Sequence, residues 1–140
     1  MNRVLFDASA LVKRYNQEAG RDQVLAIGDA ADSVVVAAHC LTELASALNR
    51  QRHDGMLSEA DYGAILSVMR EEFDEFAVIP LDRQVEAFAV QAMQQAGLRT
   101  MDALHIGSAQ AAHVNLFVTA DRRQAQAARA AGLNTELIEA

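Results

Sequence analysis

The stretch from Arg3 to Val12, RVLFDASALV, decides the fold predicted for this chain. Val4-Leu5-Phe6 is a short apolar run without alternation, which is typical of a strand buried on both faces of a parallel sheet. Asp7 follows at once, and the residues after it are compatible with a helix. The carboxylate therefore falls where a strand gives way to a helix, and in an open α/β sheet this is the edge where ligands bind. A second interpretation stays open at this point, namely that Asp7 only caps the helix.

Length and composition indicate one ordered domain. The chain has 140 residues, of which 51% are hydrophobic and only one is proline, so we expect a single helix-rich domain over residues 1–140. Cys40 is the only cysteine, which excludes an internal disulfide, and the N-terminus lacks a basic-then-apolar export signal. We therefore expect a cytoplasmic protein. No apolar run approaches the roughly 20 residues of a membrane span.

The net charge of −7 counts against a broad basic surface that grips nucleic acid. It does not exclude a nucleic-acid substrate, because acids gathered in a metal site are neutralised by their ions. The rim around such a site can still be basic. Charge alone therefore leaves the class of substrate open.

Apolar runs and helical periodicity alternate along the whole chain. Beyond the first strand, strands are predicted at 34–36, 77–79, 116–118 and 135–138. The first predicted helix follows Asp7 and ends at about Tyr15. The other predicted helices span 18–31, 39–53, 59–75, 82–97, 101–113, with Thr100 as its cap, and 121–131. This alternation predicts an α/β fold of three layers, with a mostly parallel five-stranded sheet flanked by helices.

Four acids fall at equivalent places in this pattern. Asp7 and Asp121 follow strands, whereas Glu43 and Asp102 lie early in helices. One such acid would be an ordinary cap or a solvated charge, but carboxylates that converge repel one another unless a cation holds them. Oxygen ligands select hard cations such as Mg²⁺. The sequence therefore predicts a metal site suited to phosphodiester hydrolysis, in which a cation activates water and stabilises the leaving oxygen.

Four segments resemble, in order and spacing, the PIN-domain ribonucleases of the VapC toxin type. They are LFDASAL at 5–11, LTELASAL at 41–48, LRTMDALHI at 98–106 and FVTADRR at 117–123. The resemblance covers essentially the whole chain and implies a PIN-like fold. It also implies a Mg²⁺- or Mn²⁺-dependent endoribonuclease that is the toxin of a type II toxin–antitoxin pair, with an RNA substrate, a cognate antitoxin and a homodimeric state.

The resemblance assigns roles to individual residues. Asp7, Glu43, Asp102 and Asp121 match the acidic, metal-binding and catalytic cluster, and Ser9 and Thr119 match positions where the family often places a hydroxyl near the metal. Some members carry a further acid shortly after the position of Asp121, whereas here Arg122, Arg123 and Gln124 follow. The number of metal ions, one or two, is therefore open.

Cationic side chains near the acids are candidates for RNA contacts. Arg99 and Arg122 flank two of the acids, and Lys13 lies one helix beyond Asp7. Each can contact a phosphate, and each can equally be a solvated charge. His105, three residues after Asp102, is interpreted as a packed residue, and His39 is interpreted as structural.

Two other functions fit parts of the pattern. A phosphotransfer domain would use Asp7 as its nucleophile or phosphate acceptor. The receiver version requires a lysine late in the chain, but Lys13 is the only lysine, and the dehalogenase version requires an acid at the position of Ser9. A degenerate PIN-like module that only binds RNA or protein is the second alternative, and the presence of all four acids speaks against it. The sequence does not identify the RNA target.

Overall fold

A computed structural model describes residues 1–139, along which five strands alternate with seven helices. The strands are β1 (Arg3–Phe6), β2 (Ser33–Ala37), β3 (Ala77–Ile79), β4 (Leu116–Thr119) and β5 (Thr135–Leu137). The helices are α1 (Ala8–Tyr15), α2 (Arg21–Ala30), α3 (Cys40–His53), α4 (Glu59–Glu75), α5 (Arg83–Ala96), α6 (Thr100–Ala111) and α7 (Arg122–Ala130). The order of elements predicted from the sequence is confirmed.

The five strands form one sheet in the order β3-β2-β1-β4-β5, and every pairing is parallel. β1 is the central strand, with Leu5 beside Val35 on one side and beside Phe117 on the other. The chain runs outward from β1 to β3 and then returns to β4, so the strand order reverses between β1 and β4. Crevices for ligands form at the carboxyl ends of strands at such a reversal.

Alternate side chains of β1 enter two apolar layers, as a strand buried on both faces requires. Val4 and Phe6 face α1 to α4, whereas Leu5 faces α5 to α7. The first layer includes Leu11, Leu44, Leu48 and Met69, and the second includes Ile106 and Phe117. Full burial of one such side chain stabilises the fold by roughly 1.5–3 kcal/mol. The three-layer prediction is confirmed, and no helix within residues 1–139 is long and apolar enough to cross a membrane.

Two predicted helix boundaries are wrong. α2 begins at Arg21 instead of residue 18, because Gly20 precedes it with a left-handed φ of 95° that ends the preceding turn. α6 begins at Thr100 itself, with Arg99 in the N-cap position and no side-chain cap. Thr100 therefore does not act as the cap that the sequence predicted.

The contact between α5 and α6 is unusually close at Gly107. A Cβ atom at this position would lie 2.6 Å from the carbonyl oxygen of Val85 and 3.0 Å from the amide nitrogen of Ala89. Backbone therefore rests on backbone, and only glycine fits here without a shift of α5. This contact fixes the position of α6, the helix that carries Asp102 and His105.

Candidate metal centre at the carboxyl edge of the sheet

The four predicted acids lie at the same edge of the sheet. Asp7 directly follows β1, and Asp121 lies two residues beyond β4, so these two flank the reversal of strand order. Glu43 lies in the first turn of α3, the helix after β2, and Asp102 lies in the first turn of α6. Burial raises the pKa of Asp102, and the charges of Asp121 and Glu43 raise it further, so these three acids interact with one another.

Asp7 is almost fully buried, with 3% of its surface exposed. Its Oδ1 accepts hydrogen bonds from the Ser9 hydroxyl at 2.7 Å and from the Ala10 amide at 3.1 Å, so Asp7 does cap α1. Burial raises its pKa, and the charge of His105 and the local hydrogen bonds offset this only in part. The cap and the Ser9 hydrogen bond both use Oδ1, so Oδ2 lies outside the cap, and the Thr119 hydroxyl is a further donor that lowers the pKa of this carboxyl. The cap and a metal ligand are therefore compatible roles of one side chain.

The two predicted hydroxyls connect the ends of β1 and β4. Ser9 Oγ donates to Asp7, accepts from the Ala120 amide at 2.9 Å and lies 3.2 Å from Thr119 Oγ1. Thr119 Oγ1 in turn accepts from the Asp121 amide at 3.1 Å. This chain of contacts fixes Asp7 relative to Asp121.

Asp121 and Asp102 are connected through the start of α7. Asp121 Oδ1 accepts from the amides of Arg123 and Gln124 at 2.8 and 3.2 Å, and thereby caps the helix. The buried side chain of Gln124 donates from Nε2 to the main-chain oxygen of Asp102 at 2.8 Å. Burial and then the charge of Asp121 raise the pKa of Asp102. The two carboxylates are thus held on adjacent helix starts.

Glu43 is held by two imidazoles. Its Oε1 accepts from His105 Nε2 at 2.6 Å and contacts His39 Nε2 at 3.0 Å. Burial raises the pKa of Glu43, but the hydrogen bonds from His105 and His39 outweigh this and lower the pKa to about 2. Glu43 is therefore ionised at neutral pH, with Oε2 without a hydrogen-bond partner among the described residues.

These histidines are residues of the site that sequence reasoning missed. His105 is 1% exposed, which agrees with the packed role that the sequence predicts, but its Nε2 also contacts Glu43. His39, for which the sequence predicts a structural role, lies one helical turn before Glu43, and that spacing is a visible signal for a contact. The approach of α6 to α3, which brings His105 to Glu43, is a tertiary contact with no local sequence signal.

Cys40 lies behind the acids. Its thiol is fully buried, and burial raises its pKa well above the ordinary value, with further increases from the charges of Asp7 and Glu43. A neutral thiol is the stable form in such surroundings. Cys40 is therefore a small apolar residue of the core at this edge.

The candidate RNA-binding cations differ in position. Arg99 is exposed and lines a shallow cleft with Asp102, Asp121 and Arg123. Arg122 is also exposed, and its guanidinium lies 3.5 Å from Glu139. Arg99 therefore borders two of the acids, whereas the observed contact of Arg122 is with Glu139.

Lys13 has a different environment from the arginines. It is buried, and its ammonium donates to the Ala19 carbonyl at 2.8 Å and to Glu18 at 3.1 Å. These contacts fix the loop after α1 and argue against a phosphate contact. Arg50, which the sequence did not single out, is exposed and lines a cleft of about 310 Å³ with Ser9 and Glu43.

Comparison with known proteins decides the family. The sequence profile of the PIN domain matches residues 4–130. The chain belongs to the PIN domain family. No curated protein sequence matches it significantly.

Solved structures share the fold of this PIN domain at low sequence identity. FitAB bound to an IR36 DNA fragment gives a TM-score of 0.75 at 16% identity, over 96% of this chain and 94% of that one. VapBC2 from Rickettsia felis, bound to a promoter DNA fragment, gives 0.70 at 13% identity, over 96% and 98%. VapC20 from Mycobacterium tuberculosis, described as a sarcin-ricin loop cleaving toxin, gives 0.69 at 15% identity, over 89% and 94%.

PIN nucleases use divalent metals, and the acids of this chain fit such an ion. Burial raises the pKa of Asp7, and burial together with the negative charges of Asp121 and Glu43 raises the pKa of Asp102. A hard divalent cation would relieve both penalties, and its preferred ligands are carboxylate oxygens and water. Asp7 Oδ2 lies outside the helix cap, and Glu43 Oε2 lies outside the contacts with the two histidines. The donor set therefore suits Mg²⁺ or Mn²⁺.

Proposed function

We propose that this PIN domain is a Mg²⁺- or Mn²⁺-dependent endoribonuclease whose metal is held by Asp7, Glu43, Asp102 and Asp121. The observation that carries the proposal is the convergence of these acids where the strand order reverses, with raised pKa values at Asp7 and Asp102. Fold similarity to a structure described as a sarcin-ricin loop cleaving toxin supports RNA as the substrate.

The residues of the chain would supply a preorganised site. A divalent cation, when bound, would activate water and stabilise the leaving oxygen of a phosphodiester. Asp7 is fixed by Ser9 and the Ala10 amide, and Glu43 is fixed by two histidines, so little reorganisation is needed before reaction. Arg99 and Arg50, on the two clefts that border the acids, would contact RNA phosphates.

The proposal includes a protein partner. Several proteins of similar fold are toxin–antitoxin complexes, among them one from Klebsiella pneumoniae, at a TM-score of 0.62. We therefore propose that the chain is the toxin of a type II pair and that it acts as a homodimer in the cytoplasm. The antitoxin would place an arginine or lysine against the acids, because a cation in the site lowers the repulsion among them.

Cleavage by the purified chain tests the reaction. We expect single-stranded RNA to be cut in Mg²⁺ or Mn²⁺ and to stay intact in EDTA, and we expect Asp7→Asn to remove the activity. Sequencing of RNA ends after brief induction would then locate the cleavage sites in cells. Cleavage that is equal in EDTA, or equal for Asp7→Asn, would contradict the metal-site assignment. Binding of RNA without any cleavage would favour a PIN-like binding module.

Co-expression tests the partner. The chain expressed alone is expected to arrest growth, and its genomic neighbour is expected to relieve the arrest and to co-purify with it. Asp7→Asn is the matched control, since it should be harmless with or without the neighbour. A wild-type chain that is harmless alone and never retains the neighbour would contradict the toxin role, whatever the outcome of the cleavage assay.

A further inference from the structure

The side chains of His39, Glu43 and His105 bring three metal-binding atoms together. Each residue offers one such atom, and all three lie within 4.8 Å of one another. His105 Nε2 lies 2.6 Å and His39 Nε2 lies 3.0 Å from the same oxygen, Glu43 Oε1. Among residues 1–139 this is the group of His, Cys, Asp and Glu side chains that approaches most closely to a metal-binding arrangement.

The chemistry of this group differs from that of the four acids. Two imidazoles and one carboxylate suit Zn²⁺, Co²⁺ or Ni²⁺, whereas Mg²⁺ prefers oxygen ligands alone. Tetrahedral ligands at about 2.0–2.1 Å from Zn²⁺ lie about 3.3 Å from one another. The observed separations of 2.6 and 3.0 Å are hydrogen-bond distances, and the atoms would have to move apart by about 0.3–0.7 Å to reach this value. Small side-chain shifts would therefore seat the ion.

Binding of an ion at these atoms displaces protons from both histidines. His105 Nε2 donates to Glu43 Oε1 at 2.6 Å, and His39 Nε2 lies 3.0 Å from both Glu43 Oε1 and the Met101 carbonyl oxygen, so each Nε2 carries a proton in this arrangement. The ion would replace these protons and the hydrogen bonds that they make. His39 and Glu43 remain partly exposed, at 17% and 30% of their side chains, so an ion and a water ligand can enter.

We propose that His39, Glu43 and His105 form a binding site for a transition-metal ion such as Zn²⁺. The site overlaps the four-acid magnesium site at Glu43, and its other two ligands, His39 and His105, are not part of that site. Zn²⁺ bound here takes Glu43 away from the acid cluster and inhibits RNA cleavage. The inhibition rests on the proposed function, whereas the binding does not.

Co²⁺ is the probe, because its visible absorption reports imidazole and carboxylate ligands independently of any activity. With excess Mg²⁺ present, we expect one Co²⁺ per chain to give a ligand-field spectrum that Zn²⁺ abolishes and additional Mg²⁺ does not. His39→Gln should weaken Co²⁺ binding by at least about tenfold, because it removes a direct ligand. His53→Gln, at an exposed histidine at the end of α3, is the matched control and should bind as the wild type does.

Asp102→Asn separates the two sites and should keep the Co²⁺ spectrum. Loss of the spectrum in a folded Asp102→Asn protein would place the ion among the four acids and overturn the proposal. Unchanged affinity in His39→Gln would also overturn it. Circular dichroism checks the fold of each variant. If His39→Gln does not fold, the same question is put to the wild-type protein, where complete displacement of Co²⁺ by Mg²⁺ would rule the site out. Retained Co²⁺ in a chain that does not cleave RNA would refute the proposed function but not this site.

Discussion

Asp7 and Glu43 follow the neighbouring strands β1 and β2, yet the chain supports their carboxylates in opposite ways. Asp7 is held by a hydroxyl and a backbone amide, and burial raises its pKa. Glu43 is less buried and is held by two imidazoles, which lower its pKa to about 2 against the effect of burial. The hydrogen bonds from a hydroxyl and an amide therefore do not offset the desolvation of Asp7. The hydrogen bonds from two imidazoles, which can carry charge, more than offset the desolvation of Glu43.

Because of this difference, Asp7 and Glu43 contribute to metal affinity in different ways. Glu43 is already ionised and its orientation is fixed, so it offers a ready ligand. Asp7 is destabilised in its ionised form, so binding of a cation relieves a penalty that the empty site carries. The largest response to metal is therefore expected from Asp7.

The largest expected effect is loss of cleavage when any of the four acids becomes an amide. Asp7→Asn, Glu43→Gln, Asp102→Asn and Asp121→Asn should each reduce RNA cleavage by more than the roughly 10–100-fold typical of residues that only support a metal ligand. Initial rates in saturating Mn²⁺ measure this. Asp74→Asn, an exposed acid on α4, is the control and should cleave normally. A near-normal rate for Glu43→Gln, with low rates for the other three variants, would mean that Glu43 is not a ligand of the metal.

The next effect concerns the hydroxyl that holds Asp7. Ser9→Ala removes the hydrogen bond to Asp7 and leaves the Ala120 amide without its acceptor. We expect cleavage to fall roughly 10–100-fold, with a loss of about 1–3 kcal/mol in the free energy of unfolding. Single-turnover rates and denaturant unfolding measure the two quantities. Ser46→Ala, in the same cleft, is the control, and equal behaviour of the two variants would remove Ser9 from the site.

The pH dependence of stability in EDTA should have opposite signs at the two acids. Because the pKa of Asp7 is raised, its ionisation costs stability as pH rises from about 3.8 through the raised value. Because the pKa of Glu43 is lowered, its contribution is present above about pH 4.5 and is lost as pH falls toward about 2. At neutral pH, Asp7→Asn should therefore stabilise the metal-free protein by about 1 kcal/mol, and Glu43→Gln should destabilise it by about the same amount.

Thermal unfolding in EDTA across pH measures both variants. The Asp7→Asn curve should rise relative to wild type at higher pH, and the Glu43→Gln curve should fall. Added Mn²⁺ should stabilise the wild type, by about 2.7 kcal/mol at a hundredfold excess over Kd, and should stabilise Asp7→Asn little. Parallel curves for wild type and Asp7→Asn under all of these conditions would leave Asp7 as a helix cap only.

The smallest effect is expected at the arginines of the two clefts that border the acids. Arg99→Ala, on the side of Asp102 and Asp121, and Arg50→Ala, on the side of Glu43, should each lower the salt dependence of RNA binding. One phosphate contact contributes a slope of about −0.7 for single-stranded RNA. Filter binding at several salt concentrations measures the slope, with Arg70→Ala on α4 as the exposed control. An unchanged slope in either variant would make that arginine a solvated charge.

Local sequence was sufficient to predict the strands and the acids that follow them. Val4-Leu5-Phe6 is apolar at every position because both faces of β1 are covered, and Asp7 follows at the point where a helix needs a cap. The same local signals placed Asp121 after β4. These features depend on neighbours in sequence, so a pattern of residue types predicts them.

Features that depend on contacts between distant elements could not be predicted in this way. The contact of His105 with Glu43 brings a residue of α6 to the start of α3, and the hydrogen bond from Gln124 to Asp102 brings the start of α7 to the start of α6. Lys13 followed Asp7 closely enough to suggest a role at the edge, but a local loop engages its ammonium instead. The placement of these acids at one edge of the sheet was thus predictable, while the environment that sets each pKa was not.

The burial of Cys40 has a consequence for oxidative chemistry. Peroxides and disulfides react with the thiolate, and burial together with the negative charges of Asp7 and Glu43 keeps this sulfur protonated. The only cysteine of the chain is therefore inert toward such oxidants while the fold is intact. Oxidants that inactivate enzymes with exposed thiolates should leave this sulfur unmodified.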